Sequence, residues 1–300
     1  MFHRILVGFD GTPAARSALR FAVSVAAPDS SITVTTVAIE RAETGFAAEV
    51  DALTGVTADD RTLLAEARDL LGDRAGVSYR SPVGPSVGTV LHRLAAQHEA
   101  DLVVVGAGHR HGLRRVLSGS DAEDALHGAT CAVCVVPERD AGPLHRIAVG
   151  FDGSDASRPA VAVAAAVAGQ TGAALDVVTV VDTDHPFDAG PDGTDLPHEG
   201  RRLLDAEVAR LGADTPAHAV LTEGDPTAQL LRAAHDVDLL VLGGRARGPV
   251  LRRLLGSVAD EVVRLAPCPV LVVPEHAAAG AVPAGAAAGD ATPARRGVSW

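Results

Sequence analysis

Asp238-Leu-Leu-Val-Leu-Gly-Gly-Arg-Ala-Arg-Gly248, followed by Pro-Val-Leu-Arg-Arg-Leu-Leu-Gly-Ser257 and closed by Pro267-Cys-Pro-Val-Leu-Val-Val-Pro274, decides the fold, because the chain carries it twice. The earlier copy is Asp101-Leu-Val-Val-Val-Gly-Ala-Gly-His-Arg-His-Gly112, Leu-Arg-Arg-Val-Leu-Ser-Gly-Ser120 and Cys131-Ala-Val-Cys-Val-Val-Pro137. Each copy reads as a buried strand, a Gly/Arg loop, a glycine-serine step into a helix and a second buried strand. Such a layout aims backbone amides at one point beyond the carboxyl end of a parallel sheet, where anions and above all phosphates are favoured.

Working outward, the opening strand repeats as well. Ile5-Leu-Val-Gly-Phe-Asp-Gly-Thr12 returns as Ile147-Ala-Val-Gly-Phe-Asp-Gly-Ser154. The offset is 142 here and 137 at Gly106/Gly243, Gly119/Gly256 and Pro137/Pro274, so loops absorb a net five-residue difference. Each half alternates β-type runs with helical patterns. The predicted strands are Ile5–Phe9, Ile32–Ile39, Val77–Arg80 and the two apolar runs above, matched by Ile147–Phe151, Leu175–Val181 and Ala217–Leu221 in the second half. Predicted helices follow Thr12, with Pro13 as first helical residue, and Ser154 as the equivalent cap. Others cover Asp59–Leu71 and Glu199–Leu211, and a third in each half starts after Gly84-Pro85 and Gly224-Asp-Pro226. Near-continuous Val/Leu/Ile runs separated by helices mean an α/β fold of two tandem doubly wound, five-stranded parallel-sheet (Rossmann-like) domains. The boundaries expected are 1–140 and 145–275. The Ala/Gly/Pro composition of 276–300 implies a disordered tail.

Composition narrows the function. The 300 residues carry 26 basic side chains, all arginine, and a net charge of −12. No lysine is present for Schiff-base or Walker-type chemistry, and an acidic chain does not suit general nucleic-acid binding. Three cysteines do not make a disulfide framework and fit a reducing compartment. The apolar runs at Ile5–Phe9 and Ala160–Gly169 are too short for a signal peptide or a membrane span, so the cytoplasm is the expected location. Cys131-x-x-Cys134 enters a strand in which residues three apart face opposite sides, with no second pair to complete a metal site. His109, His111, His185 and His198 have no helical metal spacing. Arg110, Arg114, Arg115, Arg245, Arg247, Arg252 and Arg253 surround the loops, either neutralising phosphate or lying on a solvated helix face. The five-aspartate stretch from Asp182 to Asp195 reads as a solvated insertion.

On Asp-Gly-Thr/Ser after the first strand, Glu223-Gly-Asp-Pro226, the Asp-Leu-(apolar)-Gly run and Gly-Ser before Ala-Pro-Cys-Pro-Val-Leu-Val-Val-Pro274, the chain resembles a tandem universal stress protein over about residues 1–275. In nucleotide-binding members of that family the phosphate motif is Gly-x-x-Gly, nine residues, then Gly-Ser or Gly-Thr. Gly243 with Gly256-Ser257, and Gly106 with Gly119-Ser120, match it. The second glycine is Ala246 in one copy and His109 in the other, which makes the second half the better candidate. The resemblance also implies contacts of Asp152 and Val180, or Asp10 and Val37, with ribose and adenine. It implies ATP, with or without magnesium, as ligand, and a binding and regulatory role in stress survival with a protein partner still to be identified. Two alternatives stand beside it: a nucleotide-independent interaction platform, and a weak ATPase or phosphotransferase using Asp10 or Asp152. Apolar edge strands need covering, so the halves are expected to pair intramolecularly near Val133–Val136 and Val270–Val273. Further homodimerisation is left open, and neither nucleic acid nor membrane is expected as a partner.

Overall fold

The computed structural model describes residues 2–39, 58–108, 125–126, 129–139, 142–182, 196–212, 215–244 and 256–275. The chain divides into two compact units, Phe2–Ala141 and Gly142–Trp300 (with Met1). His109, Gly119, Ser120, Ala246, the seven loop arginines and the 276–300 tail lie outside the described residues.

In the amino-terminal unit the order is β1 (Phe2–Gly8), α1 (Pro13–Ser24), β2 (Ala26–Thr35), β3 (Ala38–Ile39), α2 (Ala58–Leu71), β4 (Val77–Arg80), β5 (Val83–Gly84), α3 (Val87–Gln97), β6 (Leu102–Gly106) and β7 (Ala132–Val136). The carboxyl-terminal unit runs β8 (Arg146–Gly150), α4 (Arg158–Thr171), β9 (Ala174–Val181), α5 (Leu196–Leu211), β10 (Ala217–Glu223), α6 (Pro226–His235), β11 (Leu239–Gly244), α7 (Ser257–Leu265) and β12 (Val270–Pro274).

The main strands pair in parallel in both units, in the orders β4-β2-β1-β6-β7 and β10-β9-β8-β11-β12. The first strand of each unit therefore sits centrally, and the connection reverses direction between β1 and β6 and between β8 and β11. In such sheets a crevice opens at that reversal, beyond the carboxyl ends of the strands. The apolar runs fill the core from both faces: Val7, Val104 and Cys134 are fully buried, as are Val149, Val241 and Val273.

Two acidic residues at the opposite end fasten the central strands. Asp101 accepts the backbone N–H groups of His3 at 2.8 Å and Arg4 at 3.0 Å. Asp238 does the same for His145 at 2.8 Å and Arg146 at 3.0 Å. The aspartate of the Asp-Leu-(apolar)-Gly run is thus a strand fastener, remote from the carboxyl ends.

Two sequence expectations need correction. The second strand was expected over Ile32–Ile39, but β2 is Ala26–Thr35 and only the two-residue β3 continues it, paired with β5 in a separate small sheet. Phe2 pairs Ala26 while Arg4 pairs Ser31, so a bulge holding Pro28 and Asp29 hides the strand's start in a turn-like sequence. The other correction concerns Ser154. Thr12 does cap α1, its hydroxyl accepting the Ala15 N–H at 3.2 Å, but α4 starts three residues later with Ser157 at the cap and no side-chain cap bond. Pro159 lacks the N–H that would bond Asp155, so 154–157 closes as a separate turn, with the Ser157 N–H reaching the Ser154 carbonyl at 3.2 Å.

Candidate functional site

The carboxyl-terminal unit has a cleft of about 540 Å³, counting the space open to solvent at its mouth. Its walls come from five places. Gly150 ends β8 and Asp152 follows it, Ser154, Ala156 and Ser157 form the turn before α4, Leu242 and Gly243 lie at the end of β11, Gly256–Ala259 open α7, and Leu230 of α6 adds an apolar patch. The cleft therefore occupies the crevice between β8 and β11, where the strand order reverses.

Four of the expected residues, Asp152, Gly243, Gly256 and Ser257, meet at this cleft. Asp152 is 3 % exposed. Its Oδ1 accepts the Ser154 N–H at 2.9 Å and the Ser154 hydroxyl. Gly153 between them has φ 77°, a left-handed conformation that suits glycine. The first hydrogen bond of α7 joins the Asp260 N–H to the Gly256 carbonyl at 3.0 Å, so the amides of Ser257, Val258 and Ala259 precede the helical ladder. Two helix N-termini, those of α4 and α7, thus border one cleft. Their dipoles both favour negative charge there.

The two motif glycines have different physical reasons. A β-carbon on Gly243 would lie 3.0 Å from the Ala156 carbonyl carbon and from the Ser157 Cα, so the strand end and the turn approach too closely for any side chain. Gly106 meets α1 in the same way, with a β-carbon 2.7 Å from the Ala15 nitrogen. Gly256 is otherwise: its φ of −70° suits any residue, and a β-carbon there meets nothing within 4 Å among the described residues.

Val180 is not a wall residue of the cleft. It lies on β9, 1 % exposed, one residue beyond Thr179, whose hydroxyl donates to the Phe151 carbonyl at 2.8 Å. In the amino-terminal unit Val37 is half-buried between β2 and β3. Asp10 is exposed, and its Oδ1 accepts from the Thr12 N–H at 3.0 Å and hydroxyl at 2.7 Å. Gly106 is described, but its partners Gly119 and Ser120 are not. The sequence reading missed Leu230, Leu242, Ser157 and Val258 as wall residues, and saw Ser154 only as a cap. No local signal marks the two leucines, since they look like any core position until α6 and β11 are brought together.

Cys131, Cys134 and Cys268 are all buried. Burial, with the Asp101 charge adding to it, pushes the Cys131 thiol up to about 12. Among the described residues no group of three His, Cys, Asp or Glu side chains is placed to hold a metal ion, and no helix is long and apolar enough to cross a membrane.

A model of the universal stress protein family matches residues 1–137 and again 143–274. The chain belongs to the universal stress protein family. A universal stress protein of Mycobacterium tuberculosis is 30% identical over 292 residues, covering 90% of this chain and 99% of its own. One from Mycolicibacterium smegmatis is 33% identical over 213 residues, 68% of this chain and 72% of its own. Among solved structures, a universal stress protein from Archaeoglobus fulgidus aligns with a TM-score of 0.65 and 21% identity, over 91% of this chain and 98% of that one. At that identity the likeness concerns the fold, and it agrees with a universal stress protein made of two α/β, Rossmann-like domains.

Proposed function

We propose that this universal stress protein is an ATP-responsive binding module, and that its nucleotide site is the cleft of the carboxyl-terminal unit. The phosphates would lie over the amides of Gly256 and Ser257 at the start of α7, with Asp152 on the ribose side and the backbone of β9 near Val180 towards the base. The observation that carries the reading is Gly256. Nothing in the packing of the described residues or in the backbone conformation asks for glycine there, whereas a phosphate resting on a helix N-terminus does, because a side chain would hold it off the amides. Asp152 is the one carboxylate among the described wall residues. That suits a ribose hydroxyl, and leaves turnover chemistry without a second acid or base.

Occupancy would act by population shift, stabilising the conformation that binds nucleotide better and so altering which protein partner is met under stress. The reading in which the protein works without nucleotide draws on Gly243, since its glycine is fully explained by the contact with Ala156. Thermal unfolding separates the two. Millimolar ATP with magnesium should raise the midpoint of the wild type and leave that of Gly256→Val unmoved, in proportion to RT ln(1 + [L]/Kd). Equal midpoints with and without ATP in the wild type would favour the nucleotide-independent platform.

A further inference from the structure

In each unit an arginine in the first turn or two of the first helix reaches a glutamate of the second helix. Arg16 of α1 pairs with Glu66 of α2 through its Nε, an interaction that raises the Arg16 guanidinium above its ordinary value. Arg158 of α4 lies with its Nε 3.9 Å from Glu207 of α5, and its Nη1 2.7 Å from Asp155. Arg210 also approaches Glu207, at 3.6 Å.

The same second helix seats on the Asp-Gly turn. A β-carbon on Gly11 would meet Leu63 at 2.5 Å and the Glu66 carboxylate at 3.7 Å, and one on Gly153 would meet Leu203 at 3.3 Å. The glutamate follows its leucine by three residues in α2 and by four in α5. Both spacings fall on one helix face. The two units thus reach one contact from different positions along the helix.

In the carboxyl-terminal unit this contact bears on the cleft. The 154–157 turn that supplies three wall residues ends at Ser157, which makes no cap bond. Arg158, immediately after it, places a cation at a helix N-terminus, where positive charge is disfavoured unless countered. Asp155, 2.7 Å away, supplies the near counter-charge, and Glu207, 7 % exposed and 3.9 Å away, adds a second from the neighbouring helix.

We propose that Glu207 is a positioning residue for the cleft: by holding Arg158 it seats α5 on the Asp152-Gly153 turn, and so sets the affinity of the cleft for a phosphorylated nucleotide. This rests on the nucleotide reading above. The device also gives occupancy a route out of the cleft, because α5 is the helix that would feel a displacement of the Asp152 turn.

Calorimetric titration of the full chain with ATP and magnesium tests it, using the binding component that Gly256→Trp removes. Glu207→Gln and Arg158→Gln should each weaken that component roughly 3- to 10-fold, with the double variant no weaker than the worse single one. Arg158→Lys, which keeps the cation, should recover most of the loss. Glu66→Gln breaks the corresponding contact in the other unit and should leave the component unchanged. Wild-type affinity in Glu207→Gln, or an equal loss in Glu66→Gln, overturns the positioning role while the nucleotide site stands. A wild type that takes up no ATP removes both.

Discussion

Gly243 and Ala156 touch so closely that a β-carbon on the glycine would run into the alanine's carbonyl oxygen. The end of β11 is thereby pressed against the turn that precedes α4, and the Gly256 helix start and Asp152 both line the cleft beside that contact. The contact separates what the fold requires of a glycine from what a ligand would require.

Gly243→Ala should therefore destabilise the protein by about 1–3 kcal/mol, because backbone atoms rather than a flexible side chain must move. Gly256→Ser should cost nothing and add roughly a few tenths of a kcal/mol, since serine is a preferred N-cap and no described residue crowds that position. Urea denaturation of the two variants measures both. Equal losses would mean that Gly256 also has a packing role.

Asp238→Ala leaves two strand amides, those of His145 and Arg146, without their acceptor. A loss of about 1–3 kcal/mol in stability is expected. Ligand affinity should be unaffected, because the fastening lies at the end of the sheet away from the cleft. Denaturation and titration of the same preparation check the two halves of the statement.

The raised thiol of Cys131 makes a pH prediction. Its ordinary value is 9.0 and its folded value about 12, so between these the unfolded chain loses a proton that the native chain retains. Stability from this group is accordingly full below about pH 9 and falls as the pH rises towards 12. At pH 8 an aromatic disulfide reagent should label none of the three buried cysteines in the native protein and all three in denaturant. Fast native labelling would reopen redox chemistry for Cys131 and Cys134.

Much of this architecture could be read in the chain because it is written twice. The Val/Leu runs ending at Gly106 and Gly243 announce buried parallel strands, and Val77–Arg80 came out with the bounds expected. The spacing of Gly243, Gly256 and Ser257 pointed to neighbours around one cleft. What stayed hidden depends on tertiary contact. That Gly243 serves packing is visible only once Ala156 lies against it. Ser154 has the same place in the repeat as Thr12, yet Pro159, five residues on, moves the helix start to Arg158. Val180 sits in the buried run of β9, 1 % exposed, and does not line the cleft. Leu230 and Leu242 become cleft walls only because α6 packs over β11.

The most direct measurement of the central claim is calorimetric titration of ATP with magnesium into the full chain and into Gly256→Trp, with folding of both checked by circular dichroism. The account predicts saturable binding by the wild type at submillimolar ATP, and loss of that binding in a variant that remains folded. A folded Gly256→Trp that binds as the wild type does, or a wild type that binds nothing, would contradict it.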